Sequence, residues 1–275
     1  MVGTRCRVMT FNVRYDTATD GANAWEHRRS MVASIVRFHA PDIVGLQEPL
    51  THQYDHLRGR LDGYAWEGVG RDDGGTTGEY CPLGWQTARV SPDAYGTRWL
   101  SETPGTPGSS YPSASKPRLV TWARVDVDGT GLLVCNTHLD HKSERARVRS
   151  ARQLRGLVAE LGGWDERAGL SVPVVVLGDF NCTADSEPYR VLTGDAGVDG
   201  ISGPPLTDAM DAAEQPHHGP TKTFERFDGE PDRKIDHVFC AGDVAVRQHA
   251  VIADHWDGTP PSDHCPVVAE LVLSP

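Results

Sequence analysis

Acidic, amide and imidazole side chains recur where the apolar runs of this sequence stop. "VMTFN" ends in Asn12, "DIVGLQE" in Glu48, and "VVVLGDFN" in Asp179 and Asn181. "LLVCNTHLDH" closes with His138, Asp140 and His141, "KIDHVF" carries Asp236 at its start, and "SDHCPVV" opens with Asp263 and His264. Gly, Asp and Asn are common turn formers after strands, so any one of these endings is explained by a turn alone. Their recurrence is not. In an antiparallel sheet one rim collects the C-ends of some strands and the N-ends of their neighbours, so residues spread over most of the chain can meet there. The inventory is carboxylates, amides and imidazoles, with no thiolate cluster. Oxygen-rich donors of this kind suit Mg²⁺ or Mn²⁺ better than zinc.

The elements that must position these residues are legible as patterns. Apolar runs at "CRVMTFNV", "DIVGLQ", "YAWEGVG", "RLVTWARVDV", "GLLVCNTHL", "VPVVVLGDF", "IDHVFC", "VAVRQHAVI" and "PVVAELVL" read as strands. Residues 25–38 place Trp25, Met31, Ile35 and Phe38 near helical spacing. A second helix over 143–161 has Ser143 as N-cap, an apolar stripe at Ala151, Leu154, Leu157, Val158 and Leu161, and Gly162 and Gly163 to stop it. Its Arg145, Arg147, Arg149, Arg152 and Arg155 read as a solvated outer face. The Ser-, Pro- and Gly-rich segment 101–117 and the loop at 71–79 read as surface loops beside the site. Gly68-x-Gly70 is followed by Asp73 and by no helix, which rules out a dinucleotide loop. His217 and His218 fall in a polar loop and read as plain surface.

Bulk properties narrow the function. No long linker or solenoid repeat divides the 275 residues, which favours one domain over 1–275. The apolar stretches are too short for a membrane span, and the N-terminus lacks a signal-peptide h-region. Six cysteines without CxxC spacing behave as small buried hydrophobes, and a reduced, cytoplasmic setting fits them. The formal charge of −11 disfavours long nucleic acid, which is gripped through a basic footprint.

"TFNVR", "LQE", "NTHLDH", "GDFN", "IDHVF" and "PSDHCPV" stand in the order and approximate spacing of the endonuclease/exonuclease/phosphatase superfamily, the fold that resembles pancreatic deoxyribonuclease. "GRDDGG", "WLSETPG" and "PRLVTWA" resemble one bacterial branch of metal-dependent hydrolases. The resemblance covers roughly residues 5–272. It implies an α+β, four-layer α/β/β/α sandwich of two packed, mostly antiparallel sheets, which agrees with the many strand runs.

Roles follow from the matched motifs. Glu48 would bind the metal, helped by Asn12 and Asp263 directly or through water. Asp179 would orient or deprotonate the attacking water, and Asn181 would hold that water or a phosphoryl oxygen. His264 would donate to the phosphoryl group, with Asp236 fixing and charging its imidazole, and His138 would bind another oxygen or assist the leaving group. Arg71, Arg118 and His141 are candidates for gripping the substrate, since Arg recognises phosphate bidentately. The implied activity is a Mg²⁺- or Mn²⁺-dependent phosphohydrolase acting on a small phosphorylated substrate, such as a sugar, nucleotide or inositol phosphate. A nuclease is the alternative within the fold. A binding protein on an inert scaffold is the alternative outside it. Where the branch carries roughly "NPIFYRKDRFEL", this chain has "CPLGWQTARVSP". Cys81, Gly84 and Trp85 thus stand near the expected pocket wall, and substrate choice is the property that the change touches.

Overall fold

The computed structural model describes residues 3–195, 203–227 and 229–274. One sheet contains β1 (Thr4–Asn12), β2 (Ile43–Gln47), β3 (Tyr64–Glu67), β4 (Leu83–Gln86), β11 (Val244–Val251) and β12 (Val267–Leu273), in the order β11-β12-β1-β2-β4-β3. The other contains β5 (Val90–Trp99), β6 (Leu119–Val127), β7 (Thr130–His138), β8 (Val174–Asp179), β9 (Thr207–Asp208) and β10 (Asp236–Ala241), in the order β5-β6-β7-β8-β10-β9. Each sheet has a parallel pair near its middle, β1 with β2 and β7 with β8, and is otherwise antiparallel. The mostly antiparallel sandwich expected from the sequence is therefore the one found.

The strands read as apolar on both faces because they are covered on both. In β8, Val175 and Leu177 belong to the cluster between the sheets with Val8, Ile43, Val134 and Val238. Val174 and Val176 face the other way, into a cluster with Leu154, Leu157, Val158 and Leu161 of α3 (Glu144–Gly162). On the far side, Met9, Phe11, Val44 and Leu46 pack under Val32, Ile35 and Val36 of α1 (Trp25–His39). Short helices α2 (Thr51–Arg58), α4 (Glu187–Thr193) and α5 (Ala209–Ala212) complete the outer layers. Each fully buried Val or Leu contributes about 1.5–3 kcal/mol relative to exposure.

The two expected helices stand where their periodicity put them. Ser143 Oγ accepts from Ala146 N–H at 3.2 Å, and Gly163 ends α3 in the left-handed region with φ 65°. Phe38 differs from expectation. It is 81% exposed, because the buried stripe of α1 runs through Trp25, Arg28, Val32, Ile35 and Val36. Arg155 also leaves the solvated face assigned to it: its buried guanidinium donates to the carbonyls of Val191 at 3.0 Å and Pro204 at 3.0 Å.

Polar groups also join the two sheets. Asn136 of β7 donates from Nδ2 to the carbonyls of Leu46 and Pro82, both at 2.8 Å, and its Oδ1 accepts from Gln47 Nε2 at 2.7 Å. Gln47 Nε2 also donates to Thr10 Oγ1 at 2.9 Å. Gly45 makes room for this amide, since a Cβ there would lie 2.7 Å from Asn136 Cγ. The unusual "CPLGW" stretch is likewise a packing solution. A Cβ at Gly84 would sit 2.6 Å from the Trp66 ring, and Trp85 is buried between the sheets. Trp85 thus belongs to the core rather than to the expected pocket wall.

Candidate active site

The inward-facing residues of the central strands change from apolar to polar toward one rim. In β1 they run Cys6, Val8, Thr10, Asn12; in β7, Leu132, Val134, Asn136, His138; in β8, Val175, Leu177, Asp179. β10 runs the opposite way, so its first residue, Asp236, lies opposite Asp179 in register. Parallel pairing brings His138 beside Asp179. Gly178 permits this close approach, because a Cβ there would lie 2.2 Å from the Thr137 carbonyl oxygen.

Glu48 and Asn181, just past β2 and β8, adopt left-handed backbone with φ 73° and φ 50°. Non-glycine residues hold such conformations only when their surroundings over-determine them, and these cluster at functional sites. Here Glu48 N–H donates to the Tyr80 carbonyl at 3.1 Å, and its carboxylate accepts from Tyr15 N–H at 3.0 Å. Asn181 N–H donates to Asp179 Oδ1 at 2.9 Å. Asn12 Nδ2 donates to both Glu48 Oε1 and Asp179 Oδ2 at 3.0 Å, while its Oδ1 accepts from Arg14 N–H at 3.0 Å. Asn12 therefore presents its amide nitrogen to the carboxylates it ties together.

Charge is distributed unequally among these groups. Burial, with Asp236 nearby, pushes the Asp179 carboxyl up to about 7, against the pull of His264. Burial and the proximity of Glu48 also raise Asp263. Burial opposes charge on His264, but Asp236, 2.9 Å from Nδ1, together with Asp179 and Asp263, outweighs it and raises the imidazole to about 10. Asp236 in turn accepts from Thr223 Oγ1 at 2.6 Å. His138 goes the other way: burial, then the neighbouring Arg118 and Arg71, hold it well below its ordinary value. Asn181 Nδ2 donates to both His138 Nε2, at 3.0 Å, and the Leu139 carbonyl, at 3.1 Å. Neutral His138 thus carries its proton on Nδ1.

These residues open onto a cavity of about 510 Å³ lined by Glu48, Asp179, Asn181, Asp263 and His264. Arg71, Glu79, Lys116, Arg118, His138 and His141 also line it. Arg71 makes a bidentate bond to Glu79, and Arg118 NH2 donates to His141 Nδ1 at 3.1 Å. Asp140 pins the 101–117 segment beside them, accepting from Ser115 N–H at 2.6 Å and from Ser143 N–H at 2.7 Å. Those bonds outweigh the effect of burial and bring the Asp140 carboxyl down to about 2. The acidic net charge of the chain is not concentrated in the pocket, where Arg14, Arg71, Lys116, Arg118 and Arg233 stand among Glu48, Glu79, Asp179 and Asp263.

Residues 9–264 match the model of the Endonuclease/Exonuclease/phosphatase family. The chain belongs to the endonuclease/exonuclease/phosphatase family. Members of this family are phosphoric ester hydrolases, and this chain is one. It is 35% identical to an endonuclease/exonuclease/phosphatase from Bacteroides vulgatus, covering 98% of this chain and 100% of that one with a TM-score of 0.89. It is 31% identical to the mannosyl-6-phosphatase Bt3783 of Bacteroides thetaiotaomicron, over 97% and 99% of the two chains, with a TM-score of 0.85. The human nocturnin catalytic domain, 20% identical over 98% and 94% of the chains with a TM-score of 0.72, shares the fold alone. Among curated protein sequences none matches the chain.

Family members typically depend on a divalent metal, and the donor set here fits one. Glu48, His138 and Asp179 each offer an atom within 4.8 Å of the others, and so do Asp179, Asp236 and His264. The raised Asp179 and Asp263 carboxyls mark a concentration of buried negative charge that a cation relieves.

All the candidate residues expected from the sequence come together at this rim. Asn12 and Asp236 lie beneath the lining, bonded to residues that form it. Glu79 was not singled out, although "GEY" closes the very loop expected as a pocket wall. Arg14, inside the "TFNVR" motif, was also missed; it bonds Asp20 at 3.0 Å and lies 3.8 Å from Asp263. Phe224 and Arg233 come from a segment without any motif; the Phe224 ring lies 4.8 Å from that of His264. His217 is not plain surface: its Nδ1 meets Nδ1 of the fully buried His249 at 2.9 Å.

Proposed function

We propose that the chain is a Mg²⁺- or Mn²⁺-dependent phosphatase of small phosphorylated metabolites, with sugar phosphates the favoured class. The observation that carries this reading is the pairing, across one cavity of about 510 Å³, of buried carboxylates with buried guanidiniums. The carboxylates suit a hard cation that meets the phosphoryl group, and the guanidiniums, partly neutralised by Glu79, suit the polar remainder of a compact ester. Likeness along almost the full chain to a mannosyl-6-phosphatase supports the choice of sugar esters. The nuclease alternative is favoured by the cations on the cavity wall and opposed by the formal charge of −11.

In this reading Glu48 and Asp263 would hold the cation, with Asn12 steering the carboxylates, and the chemistry supplied by the cation would be neutralisation of phosphoryl oxygens and polarisation of the phosphorus. Asp179 accepts the proton of the attacking water, its carboxylate oriented by the Asn12 amide and the Asn181 N–H. Asn181 orients the water or a phosphoryl oxygen. His264 donates Nε2–H to the phosphoryl group as charge builds there, while Asp236 holds its other nitrogen. His138 Nε2 accepts from Asn181 and fixes that amide, and Arg71, Arg118 and His141 hold the substrate. Among the described residues no helix is long and apolar enough to cross a membrane. We place the protein in the cytoplasm, as a single domain over 1–275.

The test is phosphate release, with Mg²⁺ or Mn²⁺, across sugar, nucleotide, inositol and lipid-head-group phosphates, alongside nicking of plasmid DNA. Rapid release from sugar phosphates, abolished by chelator and with little nicking, is expected. Salt-sensitive nicking without release from small esters would replace this reading with the nuclease.

A further inference from the structure

We propose that Arg71, Glu79, Arg118 and His141 form a subsite that reads neighbouring hydroxyl groups on the organic part of the substrate. The inference rests on the phosphatase reading above and extends it to the carbon skeleton of the ester.

The arrangement of charge selects hydroxyls over a second anion. Glu79, 17% exposed at its side chain, stands between two guanidiniums, bidentate to Arg71 and 4.0 Å from Arg118 NH1. A carboxylate has about four lone-pair sites, and Arg71 uses two of them, so acceptor capacity remains. A second phosphate or carboxylate in this arm would meet that anion in a desolvated setting. A hydroxyl donates to Glu79 and accepts from a guanidinium or imidazole at the same time. Donors are in surplus: Arg71 Nε and Arg118 Nε and NH1 are buried without partners among the described residues. His141 adds another. A guanidinium can only donate, so its bond to Nδ1 leaves the proton of neutral His141 on Nε2, on an exposed residue.

The position of the arm suits the carbon skeleton. His138 separates it from the reaction centre, with Nε2 3.4 Å from Asp179 and Nδ1 4.0 Å from Glu79. The arm therefore begins one imidazole ring beyond the carboxylate that activates water. It is also built in advance of the substrate. Arg71 N–H donates to the Glu79 carbonyl at 3.1 Å, Asp72 N–H to the Thr77 carbonyl at 3.1 Å, and Trp99 Nε1 to the Arg71 carbonyl at 2.7 Å. Gly78, at φ 88°, closes this hairpin; a Cβ there would lie 2.6 Å from the Asp72 carboxylate. The glycines of "GVGRDDGGTTGEY" thus shape a hairpin that sets Arg71 beside Glu79. A preformed arm loses little side-chain freedom on binding.

Steady-state kinetics of Glu79→Gln and Arg118→Lys on a hexose 6-phosphate and on p-nitrophenyl phosphate test the subsite, with melting measured for both variants. For the hexose ester, kcat/KM should fall roughly 10- to 100-fold further than for the aryl ester, mainly through KM. Equal losses on both esters, or a wild-type enzyme with no preference for the hexose ester, overturn the subsite while leaving the phosphatase reading intact. Wild-type enzyme that releases phosphate from neither ester overturns both. Should Glu79→Gln fail to fold, Arg118→Lys carries the same comparison.

Discussion

His138 and His264 are both buried and both face Asp179, their Nε2 atoms 3.4 and 3.8 Å from its Oδ2. Their own surroundings differ. His264 has Asp236 at 2.9 Å, a carboxylate whose other side-chain partner among the described residues is the neutral Thr223 hydroxyl, and becomes an imidazolium. His138 has Glu79 at 4.0 Å, but that carboxylate is already committed to Arg71, and the guanidiniums beside it repel a further proton. One residue type thus supplies a cationic donor on one side of the reactive carboxylate and a neutral group on the other. Burial alone would have made both neutral. The prior commitment of each carboxylate decides the outcome.

The largest effect should come from removing the charged member. His264→Gln is expected to lower kcat by about 10²–10³, as for loss of a preorganised donor to a developing oxyanion, in a protein that melts lower because the pair with Asp236 is gone but stays folded at the assay temperature. Near-normal turnover in a folded variant would remove His264 from the chemistry. Asp236→Asn should act in the same direction and also move the alkaline limb of the pH–rate profile to lower pH, because the strongest opponent of burial at His264 is then gone. A profile that keeps its alkaline limb would show that another group sets it.

His138→Gln should cost much less, within about tenfold in kcat/KM, the scale of one hydrogen bond without charge. A loss as large as that for His264→Gln would break the asymmetry proposed for the pair. Thermal melting in chelator gives a smaller signal of the same contrast. The His264 imidazole rises in the folded protein from 6.5 to about 10. Its contribution to stability is therefore complete below pH 6.5 and disappears as pH climbs through about 10. Melting temperatures between pH 6 and 10 should show this loss in the wild type and a weaker slope in Asp236→Asn. Finally, Mg²⁺ at about 100 times its Kd should stabilise the fold by about 2.7 kcal/mol, read as a higher melting temperature. No rise with either Mg²⁺ or Mn²⁺ would count against the cluster as a cation site.

What the sequence made legible follows from how local each signal is. β8 could be read because its neighbours cover both faces and select Val and Leu throughout. α3 could be read because one face packs and the cap is local. β5, "VSPDAYGTRW", hid itself: as an edge strand with exposed residues along half of its length, it carries no apolar run. Residues at strand ends announced the site, since a single polar residue after an apolar run is conspicuous. The Arg71–Glu79 pair did not, because its meaning depends on a hairpin closing over glycines. The opposite charges of His138 and His264 were equally hidden, being set by carboxylates far away in the chain.

The Asn136 amide, lodged in the hollow over Gly45 and bonded to carbonyls of the facing sheet, has a consequence for how the protein fails. It pins one layer to the other at a single register, directly beneath the rim where Asn12 of one sheet meets Asp179 of the other. The reaction centre has no existence within either half alone. A denaturation course should then show turnover and tertiary fluorescence vanishing together, with no partly opened form that still works. Asn136→Ala, which removes the pin without touching a reactive group, should uncouple them and let activity drain away ahead of the global transition.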